Sequence, residues 1–520
     1  MSTATTDAQL ETPPDPIERL NDFSDRLSPI VVKEMRQGLR QASFVVLFLF
    51  LQSVLAMAVI SALIAVSDGS AASRSSAGYT ITAFFFSIFG IAALLIQPLR
   101  GLNALSSEIK DSTIDLLLLT RLNAWRIVLG KWMSLVTQSA LLLVAVIPYL
   151  MMRYFLGGMN LVGELTGLLF VFLVGATVTA AAVGMSAIRS LILRGIFAIA
   201  AIILFIITLQ GSVGFYVMGR GFGLAGSPFG TAGDWLPLLI GTLLLLAFLT
   251  HAFLEFGATR IAAPSENRSA RKRLIALISL LVIPTVMAMS DVDMNPFGCI
   301  TIAIILPIVL IDCLSESPGY ISSGRRRESW LMRPGWPSGA LFGLILVSLA
   351  YVWLIVHHLF NRDSFALMSY NGAMGLEMIH FVAVFAMIFT QPVLFIALFK
   401  PLEREPAPTY LIALLGSTCL SVAVLAIASS MRDGDYLIST LFWIFPILGF
   451  GSIDQTDITL IMVMALLSMI HLGAAAMLGR FKWGGSMRVP ASPITPGKVE
   501  NTATQANPEP PEVPADKEEA

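Results

Sequence analysis

Apolar residues in this chain run in long blocks, and polar residues gather in the short gaps between them. Twelve blocks are long enough to cross about 30 Å of hydrocarbon as helices, which takes about 20 residues. They fall near 44–66, 80–97, 132–152, 161–187, 195–218, 235–259, 274–290, 297–314, 338–358, 379–399, 409–430 and 458–479. A thirteenth run, 437–451, is short and holds Pro446 and nearby glycines. The pattern predicts an all-α polytopic membrane protein of about 12 transmembrane helices, arranged as two six-helix halves.

Composition agrees with a lipid solvent. Of 520 residues, 56% are hydrophobic and 13% charged, against about 25% charged in a soluble chain. Mean hydropathy is +0.79. A soluble enzyme, a nucleic-acid-binding module and a disordered scaffold are excluded. Net charge is −1, so information lies in where the charges sit. With the N-terminus in the cytoplasm, 28 of the 33 basic residues fall in inside segments, and only Arg74, Arg153, Arg220, Arg362 and Arg432 fall outside. Counting 437–451 as a span would move Arg480, Lys482 and Arg488 outside, so it is expected to be a re-entrant or interfacial helix on the outer side. Both termini are then cytoplasmic, in the cell membrane.

Residues 1–27 lack a basic stretch leading into a short apolar run, so the first apolar block is expected to stay as an anchor. This segment and the Pro-rich, acidic 481–520 are expected to be disordered tails. The organisation between them is a helix over 28–43, a first six-span half over 44–260 and a divergent second half over 261–480.

Two polar segments carry more. SPIVVKEMRQGLR at 28–40 offers Ser28 as N-cap and Pro29 at the first helical position. Val32, Met35 and Leu39 share one face and Lys33, Arg36 and Arg40 look elsewhere, which predicts an amphipathic helix along the inner leaflet. Residues 98–131, between spans two and three, are too charged to span. Leu102, Leu105 and Ile109 recur at helical spacing there, followed by the apolar cluster Leu116, Leu117, Leu118 and Leu119. Such an element either lies on the bilayer surface or fits a groove on a soluble partner.

The run SSEIKDSTIDLLLLTRLNAWRIVLGKW resembles the stretch between the second and third spans of type 2 ABC transporter permeases. The acidic residue is Glu108, the Leu-rich cluster Leu116 to Leu119 ends in Thr120, and an aliphatic helix ends in Gly130-Lys131. SPIVVKEMRQGLR similarly looks like that family's N-terminal amphipathic helix. The likeness covers about 28–152 in detail, and the six-span arrangement extends it to about 260. It implies the membrane subunit of an ATP-driven transporter, an exporter, in which Glu108, Asp111, Asp115, Leu116 to Leu119 and Thr120 form a coupling helix docked on a cytoplasmic ABC-type ATPase. It also leaves open a homodimer or heterodimer of permeases.

No G-x-x-x-x-G-K-[ST] stretch occurs, so ATP would be bound by the partner chain, and no cofactor or catalytic set is expected here. GFGLAG at 221–226 satisfies G-x-G-x-x-G but lacks a strand before it. The histidines His251, His357, His358, His380 and His471 form no metal spacing. Cys299, Cys313 and Cys419 lie far apart and read as packing residues. His251 and Glu255, four apart in span six, are the best intramembrane polar pair. An ion-coupled secondary transporter would centre on them, and a noncatalytic membrane scaffold would use the 98–131 loop to recruit some other cytoplasmic protein. In the second half LSES at 314–317 echoes LSSE at 105–108, but the loop after it is basic and lacks the Leu cluster. A pseudo-dimer with one degenerate site and a family core extended by six accessory spans both fit.

Overall fold

The computed structural model describes residues 29–67, 84–110, 123–155, 161–188, 190, 194–196, 198–199, 202, 232–262, 268–289, 297–317, 330–360, 374–399, 406–431, 441, 444–448 and 458–484. Among them every regular element is helical. In chain order they are α1 (Pro29–Arg40), α2 (Ala42–Ser67), α3 (84–101), α4 (Ser106–Lys110), α5 (Ala124–Phe155), α6 (Leu161–Met185), α7 (Ala232–Ile261), α8 (Ser269–Ala288), α9 (Phe297–Leu314), α10 (Trp336–Phe360), α11 (Met374–Phe399), α12 (Pro406–Ser430) and α13 (Ile458–Gly484).

Ten helical segments among the described residues are long and apolar enough to cross a membrane, and each coincides with a predicted block. Of the other two blocks, 195–218 lies almost wholly outside the described residues. The block 274–290 does form a helix, α8, but Arg271, Lys272 and Arg273 occupy its first turn. Its apolar part runs only from Leu274 to Ala288, about 22 Å at 1.5 Å per residue. Large apolar side chains such as Phe50, Met57, Val352 and Met462 stand on outward faces. A protein in water would pay heavily for such a band, whereas hydrocarbon accepts it and the helices keep their backbone groups satisfied.

The helices pack around three large apolar clusters. One gathers α2, α3, α5 and α6 around Leu55, Phe85, Phe89 and Leu142. A second, at the end of the bundle bearing α4, joins Leu105, Ile127, Val183 and Leu254. The third and largest joins α8 to α11 and α13 around Leu280, Ile305, Leu346 and Met387. Helix α7 serves two of them, with Leu254 and Ala258 in the second and Leu245 and Phe248 in the third.

Between lipid-embedded helices there is no water to expel, so close backbone contact and hydrogen bonds do the holding. The small-residue string at 175–184 provides both. Gly184 packs so closely on α7 that the Phe253 carbonyl and Gly257 fill the space a Cβ would take, and Thr177 meets Thr250 at 3.0 Å. Gly339 of α10 lies in the same way on the Cys313 carbonyl of α9. In α3 the turn Ile91–Ile96 is a π-helix, with the Gln97 N–H bonded to the Ala92 carbonyl. Pro98 follows directly, and a proline ring crowds the carbonyl four residues back, so the widened turn accommodates it.

Among the described residues, α1, α4, the start of α5 and 268–273 lie at one end of the bundle, as the contacts described below show. From the run 437–451 only 441 and 444–448 are described. They pack on Val424, Leu425 and Ala428 of α12, and Gln391 of α11 donates to the Ile444 carbonyl at 2.6 Å. The tail 1–27, residues 485–520 of the expected tail 481–520 and the GFGLAG run lie outside the described residues, whereas 481–484 continue α13 as helix.

Gly184→Ala is expected to lower stability by about 1–3 kcal/mol, because backbone rather than a flexible side chain blocks the new methyl. Gly416→Ala on α12, where nothing lies within 4 Å, should be neutral or slightly stabilising. Thermal unfolding of the detergent-solubilised variants, compared side by side, measures the difference.

Candidate functional site

Charged residues in and beside the ends of the apolar blocks assemble, among the described residues, into two polar nodes. The first is built on α1. Its Pro29 start agrees with the expected N-terminal signal, while Ser28 lies outside the described residues. Lys33, Arg36 and Arg40 are exposed, Val31 and Gly38 are the buried positions, and the expected apolar face of Val32, Met35 and Leu39 is half-buried. The buried face seats on α5. Ser134 Oγ donates to the Glu34 carbonyl at 3.0 Å, and Gly38 touches the Gln138 side chain.

Lys131, nearly buried on α5, sits between two carboxylates, with Nζ 3.4 Å from Glu34 of α1 and 2.7 Å from Glu108 of α4. Beside it the Arg100 guanidinium donates to Gln138 Oε1 at 2.5 Å and to Gln41 Oε1 at 2.6 Å. The backbone N–H of Leu105 donates to Ser186 Oγ at 3.2 Å. Glu108 and Lys131, distant in sequence, therefore meet in space. Of the expected coupling residues, Glu108 is the one described. Its carboxylate faces Lys131, so it is a structural anchor of the loop. Asp111, Asp115, Leu116, Leu117, Leu118, Leu119 and Thr120 lie outside the described residues.

The second node lies where α7, α8, α9 and α10 converge. Glu255, 1% exposed, receives Arg268 through Nε at 2.8 Å and Nη2 at 3.0 Å, and Arg271 at 3.2 Å. One turn along, Lys272 reaches Asp312 at 3.0 Å and Glu316 at 3.2 Å. Arg273, 1% exposed, lies 2.6 Å from Glu316. It also donates to the Leu331 carbonyl, to Ser338 Oγ at 3.2 Å and to the Gly335 carbonyl at 3.4 Å. Gly335 has φ 127°, a conformation that glycine adopts without strain, and its own carbonyl accepts from the guanidinium. Ser269 Oγ completes the shell of Glu316.

Burial by itself would raise the Glu316 carboxyl. Lys272 and Arg273 overcome it and hold the group down at about 2. Burial likewise disfavours the Lys272 ammonium, but Asp312 and Glu316 hold its pKa above the usual value. Three well-buried cations, Arg268, Lys272 and Arg273, thus face the three carboxylates Glu255, Asp312 and Glu316. Such matching is the condition for keeping charge at the edge of an apolar bundle.

His251 and Glu255, singled out in the sequence as a pair, take different partners. His251 lies against Trp125, with ring centroids 5.1 Å apart, and Glu255 binds the arginines of the next turn. The reason is tertiary: the chain reverses after α7 and brings 268–273 onto it. The residues that sequence inspection missed are Trp125, Arg268, Arg271, Lys272, Arg273 and Asp312. Their signal was a basic run directly after a span whose last turns hold a carboxylate. Among the described residues no three metal-ligating side chains come together. His357 stacks on Trp353 at 4.8 Å, and Cys299 and Cys313 are buried while Cys419 is exposed. This end of the bundle is a charge-matched joint between helix ends. No family model, curated protein or solved structure matches the chain.

Removing one member of a buried pair leaves its partner uncompensated, so Glu316→Gln should cost about 3–5 kcal/mol at neutral pH. The folded carboxyl ionises more readily than the unfolded one. Its contribution is therefore complete above about pH 4.5 and fades as pH falls towards about 2. The stability gap between wild type and Glu316→Gln should shrink by about 1.4 kcal/mol per pH unit through that window. Unfolding of both proteins in one detergent from pH 6 to pH 3 tests this.

Proposed function

We propose that this chain is the membrane-spanning permease subunit of an ATP-binding-cassette transporter, an exporter driven by a separate cytoplasmic ATPase. The observation that carries the proposal is the 2.7 Å pair between Glu108 and Lys131, with Glu34 on the same ammonium. A loop whose two ends are pinned to α1, α4 and α5 can take a push from outside and deliver it to several helices at once. The acidic residue and the Gly-Lys pair behind the resemblance to type 2 ABC permeases are the two ends of that clamp. In this reading Asp111, Asp115, Leu116 to Leu119 and Thr120 seat in a groove on the ATPase, which binds and hydrolyses ATP. The exposed Lys33, Arg36 and Arg40 of α1 face the inner leaflet. The chain lies in the cell membrane with both termini in the cytoplasm, as twelve spans in two halves.

The two polar nodes favour a pseudo-dimer for those halves. In each, the residues ending the second span meet the stretch before the first span and the start of the third. In the first half these are Arg100 with Gln41 and Gln138, and in the second Glu316 with Arg273, which also binds Ser338. An ion-coupled mechanism finds less support, because Glu255 is taken up by two arginines at the end of the bundle.

Mild-detergent extraction of the C-terminally tagged protein should recover a P-loop ATPase with wild type, and lose it with a Leu117→Asp, Leu118→Asp variant of unchanged melting temperature. Recovery of intact wild-type protein without an ATPase, even after crosslinking, would overturn the proposal. Recovery of a different cytoplasmic protein at the same loop would favour the scaffold.

A further inference from the structure

Among the described residues, Trp125 is a place where the two nodes meet. Trp125, the second residue of α5, stands beside the turn that begins α8. The Arg268 guanidinium lies 6.0 Å and that of Arg271 5.9 Å from its ring centroid, and His251 of α7 packs on it at 5.1 Å. Both arginines bind Glu255. At helical spacing, positions 268 and 271 share one face, while 272 and 273 turn about 100° and 200° further. Consecutive residues therefore grip opposite sides: Arg268 and Arg271 hold α7 and Trp125, and Lys272 and Arg273 hold Asp312 and Glu316 of α9 and the turn before α10.

We propose that Trp125 and residues 268–273 are positioning residues that carry movement of α4 and the start of α5 to α8, α9 and α10, so that one input drives both parts of the bundle. This rests on the permease reading for its source of movement. It explains why the second LSES segment needs no Leu-rich loop of its own: Glu316 is closed in by Ser269, Lys272 and Arg273 and serves as a receiving end. Shared aromatic and ionic contacts suit this task. A cation over an indole tolerates sliding of the ring, whereas the bidentate Arg268–Glu255 contact transmits rotation.

Hydrogen exchange read by mass spectrometry tests the proposal on the full chain in lipid nanodiscs, alone and with the co-purifying ATPase. For the chain alone, Trp125→Ala should speed exchange roughly five- to tenfold in peptides covering 268–289 and 308–317, through loss of two cation contacts. Trp125→Phe should stay within about twofold of wild type. Arg271→Gln, whose side chain is 57% exposed and whose removal leaves Arg268 on Glu255, should act in the same direction as Trp125→Ala. Changes confined to 123–135, with 308–317 untouched in both Trp125→Ala and Arg271→Gln, would overturn it. With ATPase bound, a non-hydrolysable ATP analogue should change exchange at 308–317 in wild type and Trp125→Phe. In Trp125→Ala the change should stop at α5 although the ATPase still binds, an outcome that a purely structural role would not produce. Nucleotide effects that reach 308–317 in Trp125→Ala as well would reject the joint. Failure of any ATPase to bind wild type would instead reject the permease reading, leaving the chain-alone comparison to decide the joint.

Discussion

Charge kept at the edge of an apolar bundle has to be matched partner by partner, and the end of this protein is organised by that requirement. Glu255, Asp312 and Glu316 descend on the ends of α7 and α9 into surroundings too poor in water to solvate them. The turn 268–273 answers with Arg268, Lys272 and Arg273 on alternating faces. An isolated carboxylate there would be costly, and so would an isolated guanidinium, which is why neither helix could be placed without the other. The position of α8 follows from this pairing as much as from its short apolar stretch.

Packing in the apolar interior obeys a different rule. Helices surrounded by lipid gain little from hiding grease, so they are held where small residues let backbones touch. Gly184 against Gly257 and Gly339 against the Cys313 carbonyl are such places. Each sits near the charged end, one locking α6 to α7 and the other α9 to α10. The ion pairs therefore act between helix pairs that are already stiff. A push on α5 at Trp125 meets a lever rather than a loose side chain.

The first node shows how one lysine can organise three segments. Lys131 could have served as a simple membrane-flanking cation. Because α1 brings Glu34 and α4 brings Glu108 to the same ammonium, the amphipathic helix, the end of the second span and the start of the third become one unit. The loop between Glu108 and Lys131 inherits a fixed base from it.

Much of the fold was legible in the chain itself. Apolar length needs no partner to be recognised, so ten apolar helices were readable, and so was the exposure of Lys33, Arg36 and Arg40 on α1, but not which positions of α1 are buried. The candidate site was half legible. Glu108 and Lys131 were visible as motif residues but not as partners, and Glu255 was assigned to His251 because four residues of helix set them side by side. What tertiary structure alone decided was the pairing of charges distant in sequence: Glu108 with Lys131, Glu255 with Arg268, and Arg273 with Glu316. Periodicity along a chain reports which face of a helix is apolar. It cannot report which other helix end arrives beside a buried carboxylate, since that depends on how the chain turns back between spans.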